Sequence, residues 1–163
     1  MSAKHPRRPV FRMAHSFLWL AVLVLAGCAM STRPMEPPVV RIAGLELVGN
    51  DQVRLDLMLT NLNPEPLDPA RVALELAIND QDWVMAEQTI TWQVSANARE
   101  TVSITLPHQN GQVLTWLREV GRNQRPSVSW SLALSLDLGE KKVIETDDSG
   151  FLYRVPGQPS RFR

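Results

Sequence analysis

The chain has 163 residues, with 17 Lys and Arg against 17 Asp and Glu, a formal charge of zero, and one cysteine. A neutral balance, with no basic cluster beyond the first 16 residues, gives the rest of the chain no positive footprint of the kind nucleic-acid binding needs. A single cysteine excludes an intramolecular disulfide and a multi-thiolate metal site. In chain order, residues 1–16 come first, carrying Lys4, Arg7, Arg8 and Arg12 and no acid. An apolar run from Phe17 to Ala26 follows, then Gly27 and Cys28. A basic start, a short apolar core and small residues at its end predict a secretory signal peptide. The run is shorter than the roughly 20 apolar residues of a membrane-spanning helix.

The end of that run, Leu25-Ala26-Gly27-Cys28, resembles the lipobox of bacterial lipoproteins. The resemblance implies a diacylglyceryl group on the Cys28 thiol, cleavage before Cys28 and acylation (palmitate-type) of the new N-terminus. Several acyl chains hold firmly at about 0.8 kcal/mol per buried CH₂, where one chain is marginal. Ala29 follows the cysteine where an inner-membrane lipoprotein carries Asp, so the expected location is the outer membrane, facing the periplasm. The boundaries that follow are a signal peptide over 1–27 and a lipidated tether over 28–36. Without the four leading cations, 13 basic residues face 17 acidic ones, a formal charge of −4 over residues 28–163.

From Ala29 to Pro38 the chain is polar and bears Pro34, Pro37 and Pro38, the composition of a semi-extended spacer. Beyond it, apolar residues recur with period two. Val40 and Ile42 share one parity and Leu45 and Leu47 the other, so the first strand slips phase at Ala43-Gly44, which predicts a β-bulge. Val53, Leu55, Leu57 and Leu59 form a second strand, and Val72, Leu74, Leu76 and Ile78 a third. Further strands are expected at Ile90–Val94, Val102–Leu106 and Val128–Leu138. Such alternation marks strands with one buried and one wet face, and several of them predict an all-β sandwich or barrel.

One segment keeps a different period. Val113, Leu117 and Val120 fall at i, i+4 and i+7 within Gln112–Val120, which predicts a short helix with Asn110 as N-cap and Gly121 past its end. Phe151, Tyr153 and Val155 read as the apolar side of a last strand, and residues 158–163, with Arg161 and Arg163, as a basic tail. Trp92 and Trp130 fall on apolar parity and are assigned to the core. Trp83 and Trp116 lie off it, as satellite packing or as exposed anchors for a partner.

Between the second and third strands stands Leu59-Thr-Asn-Leu-Asn-Pro-Glu-Pro-Leu67. Asn63-Pro64 and Glu65-Pro66 cannot continue a ladder, so by itself the stretch is a strand-ending turn. Followed by the Val72-Ala-Leu-Glu-Leu76 strand, it resembles the late-embryogenesis-abundant type 2 family, also called the water-stress and hypersensitive-response (WHy) domain. Asn63, Pro64 and Leu67 match the family's Asn-Pro-Asn-like turn, with Glu65 where the family often has Asn. The resemblance covers about residues 37–157. It implies an immunoglobulin- or fibronectin-III-like β-sandwich with a helical insert, no enzymatic activity, no cofactor, and a role in desiccation and other water stress.

Chemistry-bearing residues are sparse. After residue 28 the sequence has one histidine, His108, behind Pro107 at a strand end, and no G-x-S-x-G elbow. No catalytic residue is therefore assigned. Asn79-Asp-Gln-Asp82 and Asp147-Asp-Ser-Gly150 lack the spacing of a calcium loop and read as turns, so no metal ligand is assigned. The expected partners are a membrane, through the lipid at Cys28, and protein clients under water stress, with no nucleic acid. The alternative is a periplasmic binding or assembly module that holds a protein partner or an apolar ligand.

Overall fold

The computed structural model describes residues 34–109, 111–139 and 142–163. The expected signal peptide, Cys28 and Asn110 lie outside the described residues. Residues Met35–Arg163 form one unit. Its elements are β1 (Val39–Val48), β2 (Gln52–Thr60), β3 (Arg71–Ile78), β4 (Gln81–Thr89), β5 (Arg99–Pro107), α1 (Gly111–Gly121), β6 (Val128–Asp137), β7 (Val143–Leu152), β8 (Arg154–Val155) and β9 (Gln158–Phe162).

The strands form two antiparallel sheets, ordered β5-β2-β1-β9-β8 and β4-β3-β6-β7. A β1-β2-β5 sheet against a sheet in which β4 borders β3 is the strand arrangement of a fibronectin-III-like sandwich, here extended by β9 and β8. The expected fold class holds: an all-β sandwich with one short helix. The alternation is what fills it. Val53, Leu55, Leu57 and Leu59 of β2 face Val72, Leu74, Leu76 and Ile78 of β3 and Leu132, Leu134 and Leu136 of β6, all buried. Each such side chain contributes about 1.5–3 kcal/mol by leaving water.

Local devices keep each strand in phase. The β1–β2 register shifts between Ile42 and Gly44, where the sequence predicts a bulge. Asp56 stands across from Gly44, and a Cβ on that glycine would lie 3.0 Å from its carboxylate. The β3–β4 turn has Asn79 at φ 48° and Asp80 at φ 61°, so the first part of the expected acidic run is a tight two-residue hairpin. In the same sheet, Trp130 of β6 stands opposite Gly150 of β7, whose missing side chain makes room for the indole.

Several expectations are corrected. The strand expected at Ile90–Val94 is not formed: β4 runs from Gln81 to Thr89, and Val94 makes only an isolated bridge with Leu67. The register shift at Ala77 breaks the alternation of β4 and puts Trp83 and Val84 both inside, so the period-two signal is lost there. Trp83 is thus among the largest fully buried side chains, and Trp92 is only partly buried. In the last long strand the inward residue is Leu152, while Phe151 and Tyr153 are exposed.

The basic tail over 158–163 is strand β9, paired with β1 and β8, with Phe162 wholly buried between its flanking arginines. Pro38, at the end of the proline-bearing spacer, is buried, and its carbonyl accepts a hydrogen bond from Thr146 Oγ1 at 2.8 Å, so the chain is already fixed just before β1.

Helix α1 buries Val113, Leu117 and Val120, as its spacing predicts. Its stop differs. The N–H of Asn123 donates to Val120 and that of Gln124 to Glu119, with Asn123 at φ 61°, a left-handed cap built on asparagine. Gly121 lies within the helix, because a Cβ there would sit 2.2 Å from the Pro159 carbonyl oxygen of β9. That close approach docks the helix on the C-terminal strands. Gly121→Ala is expected to lower stability by about 1–3 kcal/mol by forcing that backbone apart. Urea unfolding of the variant checks it, and an unchanged midpoint would mean that the helix is not pressed against β9.

Candidate functional site

The expected motif residues Asn63, Pro64 and Leu67 come together at the end of the sandwich where β1 begins. Pro64, Glu65 and Pro66 are exposed on the turn. Leu67 is buried and exchanges two backbone hydrogen bonds with Val94, each 2.9 Å. Asn63 is buried at 5% exposure, and so is Asn61 at 0%, the two buried polar side chains among the described residues.

These two amides form a polar knot. Asn63 Oδ1 accepts the backbone N–H of Glu36 at 2.7 Å, and Asn63 Nδ2 donates to the Glu36 carbonyl at 2.8 Å. The side-chain amide thereby pairs with the chain before β1 as a neighbouring strand would. Asn61 Oδ1 accepts from the Asn63 backbone N–H at 2.9 Å and from Asn63 Nδ2 at 3.0 Å. Asn61 Nδ2 donates to the carbonyls of Glu65 at 2.8 Å and Ser95 at 3.1 Å. Three segments of chain are thus tied through two side chains with their hydrogen-bonding capacity filled, which burial of an amide requires. Asn61 escaped the sequence reading, which centred on Asn63-Pro64. Its position two residues earlier, on the buried parity of Leu59, was the available signal.

Beside the knot, Ser95 donates its backbone N–H to Glu100 Oε1 at 2.9 Å. That bond, with help from the Ser95 side chain, holds the Glu100 carboxyl below the ordinary glutamate range. A depressed folded-state value means that its contribution is present above the unfolded-state value and fades as pH falls through the folded one.

The other expected candidates do not assemble. His108 stacks on Trp83, with ring centroids 5.4 Å apart and planes 23° from parallel, so it packs at the end of the core. Asp147 and Asp148 lie within β7, not in a turn as expected, with Asp147 exposed on the outer sheet face and Asp148 half-buried. Among the described residues no three His, Cys, Asp or Glu side chains are placed to hold a metal ion. No described helix is long and apolar enough to cross a membrane.

The outer face of the β4-β3-β6-β7 sheet carries a shallow groove. Small side chains floor it: Ala73 and Ala77 on β3, Ser131, Ala133 and Ser135 on β6. Met85 and Asp82 rim it from β4, Glu145 and Asp147 from β7, and Glu75 stands in its middle. Small residues on either side of Glu75 and longer ones at the edges make shallow, acidic depressions in this face. This surface is absent from the sequence reading, because outward positions follow no apolar pattern.

No family model matches the chain, and no curated protein matches it. Among solved structures, the solution structure of a protein from Arabidopsis thaliana aligns with TM-score 0.55 at 13% identity, over 77% of this chain and 87% of that one. A crystal structure of a protein from Archaeoglobus fulgidus aligns with TM-score 0.44 at 11% identity, over 75% of this chain and 98% of that one. At such identities the likeness is one of fold.

Removing the Asn61 amide strands the Asn63 donors and two carbonyls in a buried place. Asn61→Ala is expected to cost on the order of 2–4 kcal/mol, and Pro64→Ala no more than about 1 kcal/mol. Paired urea curves test the ranking; equal losses would show that the turn backbone, not the knot, carries the stability. A carboxyl titration by NMR should place Glu100 below the ordinary glutamate range, and a value within that range would deny the Ser95 hydrogen bond in solution.

Proposed function

We propose that this chain is a non-enzymatic, lipid-anchored protein of the bacterial envelope, of late-embryogenesis-abundant type 2 (WHy) character, that protects envelope components during water stress. The observation that carries the reading is the clasp of Asn63 on Glu36, only eight residues after Cys28. Eight residues span at most about 29 Å. A lipid on Cys28 would therefore hold the sandwich within about one domain diameter of the membrane surface, its orientation limited by a fixed attachment. The lipobox-like Leu25-Ala26-Gly27-Cys28 and Ala29 support the anchor and the outer membrane. The turn at Asn63-Pro64, with Leu67 closing onto Val94, supports the family, whose implied role supplies the stress function.

A second reading rests on the groove. A face with shallow depressions floored by alanines and serines, with Met85 at 60% exposure on its rim, suits a periplasmic module that holds a protein partner. The two readings separate in one experiment. Cells lacking the protein are complemented with the wild type, with Cys28→Ser, and with a groove variant, Ala133→Arg, and survival after drying is counted. Protection lost with Cys28→Ser, alongside release of the protein from membranes, supports the anchored protective role. Full protection by a released Cys28→Ser protein would sink it. Loss of protection with Ala133→Arg, at unchanged stability and membrane attachment, would put the binding module first.

A further inference from the structure

Four strands border the two sheets: β5 and β8 in one, β4 and β7 in the other. An open edge offers unpaired N–H and C=O groups to any extended segment, and folded proteins blunt such edges by charge, irregularity or shortness. Three of the four are blunted here. Strand β8 has two residues. Strand β7 carries Glu145, Asp147 and Asp148, and β4 carries Asp82 and Glu87 and is broken by the register shift at Ala77.

Strand β5 keeps such devices only at its ends, Arg99 and Glu100 at one and Pro107 at the other. Its register with β2 runs unbroken from Thr60–Arg99 to Gln52–Pro107. From Thr101 to Pro107 it bears no charge: Thr101, Ser103 and Thr105 face out, and Val102, Ile104 and Leu106 face the core. Val102 and Ile104 are 9% and 7% exposed, against 0% for Leu55 and Leu57 in the neighbouring β2.

We propose that β5 is the contact through which two copies of this chain pair, antiparallel about a two-fold axis at Ser103, joining two five-stranded sheets into one. The strand is its own complement in that register. Ser103 meets Ser103, Thr101 meets Thr105, Val102 meets Ile104, Glu100 meets Leu106 and Arg99 meets Pro107. No like charges stand opposite, Thr101 faces Thr105 on the outer side while the Ser103 hydroxyl donates to Asp56 of its own chain at 2.6 Å, and the inward residues of one copy continue those of the other. The same operation on β7 about Asp147 would set carboxylate against carboxylate. A self-complementary patch related by a two-fold axis is the commonest form of homo-oligomer. The pairing requires neither the lipid nor the stress role.

The full chain carrying Cys28→Ser, in mild detergent, has no thiol and serves as the background for the test. Sedimentation should show a concentration-dependent dimer. Thr101→Lys combined with Thr105→Lys sets lysine against lysine on both sides of the axis and is expected to weaken the dimer at least tenfold. Ser103→Cys is expected to yield a disulfide-linked dimer on mild oxidation, because directly opposed residues have Cβ atoms only about 4.5–5.5 Å apart. Ser149→Cys, exposed on β7 at the opposite border of the second sheet, should remain uncrosslinked. A monomer at the highest attainable concentration would overturn the proposal and leave the edge to an extended segment of another protein. A dimer indifferent to the paired Thr101→Lys and Thr105→Lys substitutions and not captured by Ser103→Cys would overturn it as well.

Discussion

A core between two sheets can be filled only if every strand turns its apolar parity inward, and a slip of one residue sends a whole set of side chains to water. Most of the special residues in this chain serve that one constraint. The bulge at Gly44 re-phases β1 so that both Val40 and Leu45 reach the core. The left-handed Asn79-Asp80 turn returns β4 in register with β3. Gly150 yields its side-chain volume to Trp130 across the ladder. None of these residues brings much burial of its own; each decides whether the leucines on either side of it are buried at all.

The polar knot meets a second need. Where strands end, backbone groups must find partners away from the ladder, or the end of the core admits water. Asn61 and Asn63 meet that need with side chains that imitate the peptide group, one binding the chain ahead of β1 and the other the loop before β5. The same bonds that close the core also fix where the preceding chain enters the domain, so the fold and the path of that chain are set by one motif.

How much of this was legible in the sequence follows from where the physics leaves a period. Strands β2, β3, β5 and β6 each have one buried and one wet face, and their leucines, valines and isoleucines alternate without interruption. Strand β4 does not, because its bulge places Trp83 and Val84 both inside. Strand β7 reaches the core with Ile144 and Leu152 while Thr146, Asp148 and Gly150 occupy the inward parity between them, so the exposed Phe151 and Tyr153 dominated the pattern. In β9 a single buried Phe162 between two arginines leaves no period to read. Asn63 and Leu67 were visible through the prolines around them. Asn61 and Glu36 were not, because their roles arise from hydrogen bonds to segments 34 and 27 residues away.

The position of β1 has a mechanical consequence. Its start is where the spacer joins the domain, and it lies between β2 and β9, antiparallel to both. Antiparallel ladder bonds run perpendicular to the strands. Tension drawn along the spacer therefore loads many of them together in shear, where peeling a strand sideways would break them singly. The Glu36–Asn63 clasp takes the first load, and the paired length of β1 takes the rest. With Phe162 buried where β9 pairs with Leu45, the entry of the chain into the sandwich is held from both flanks of β1.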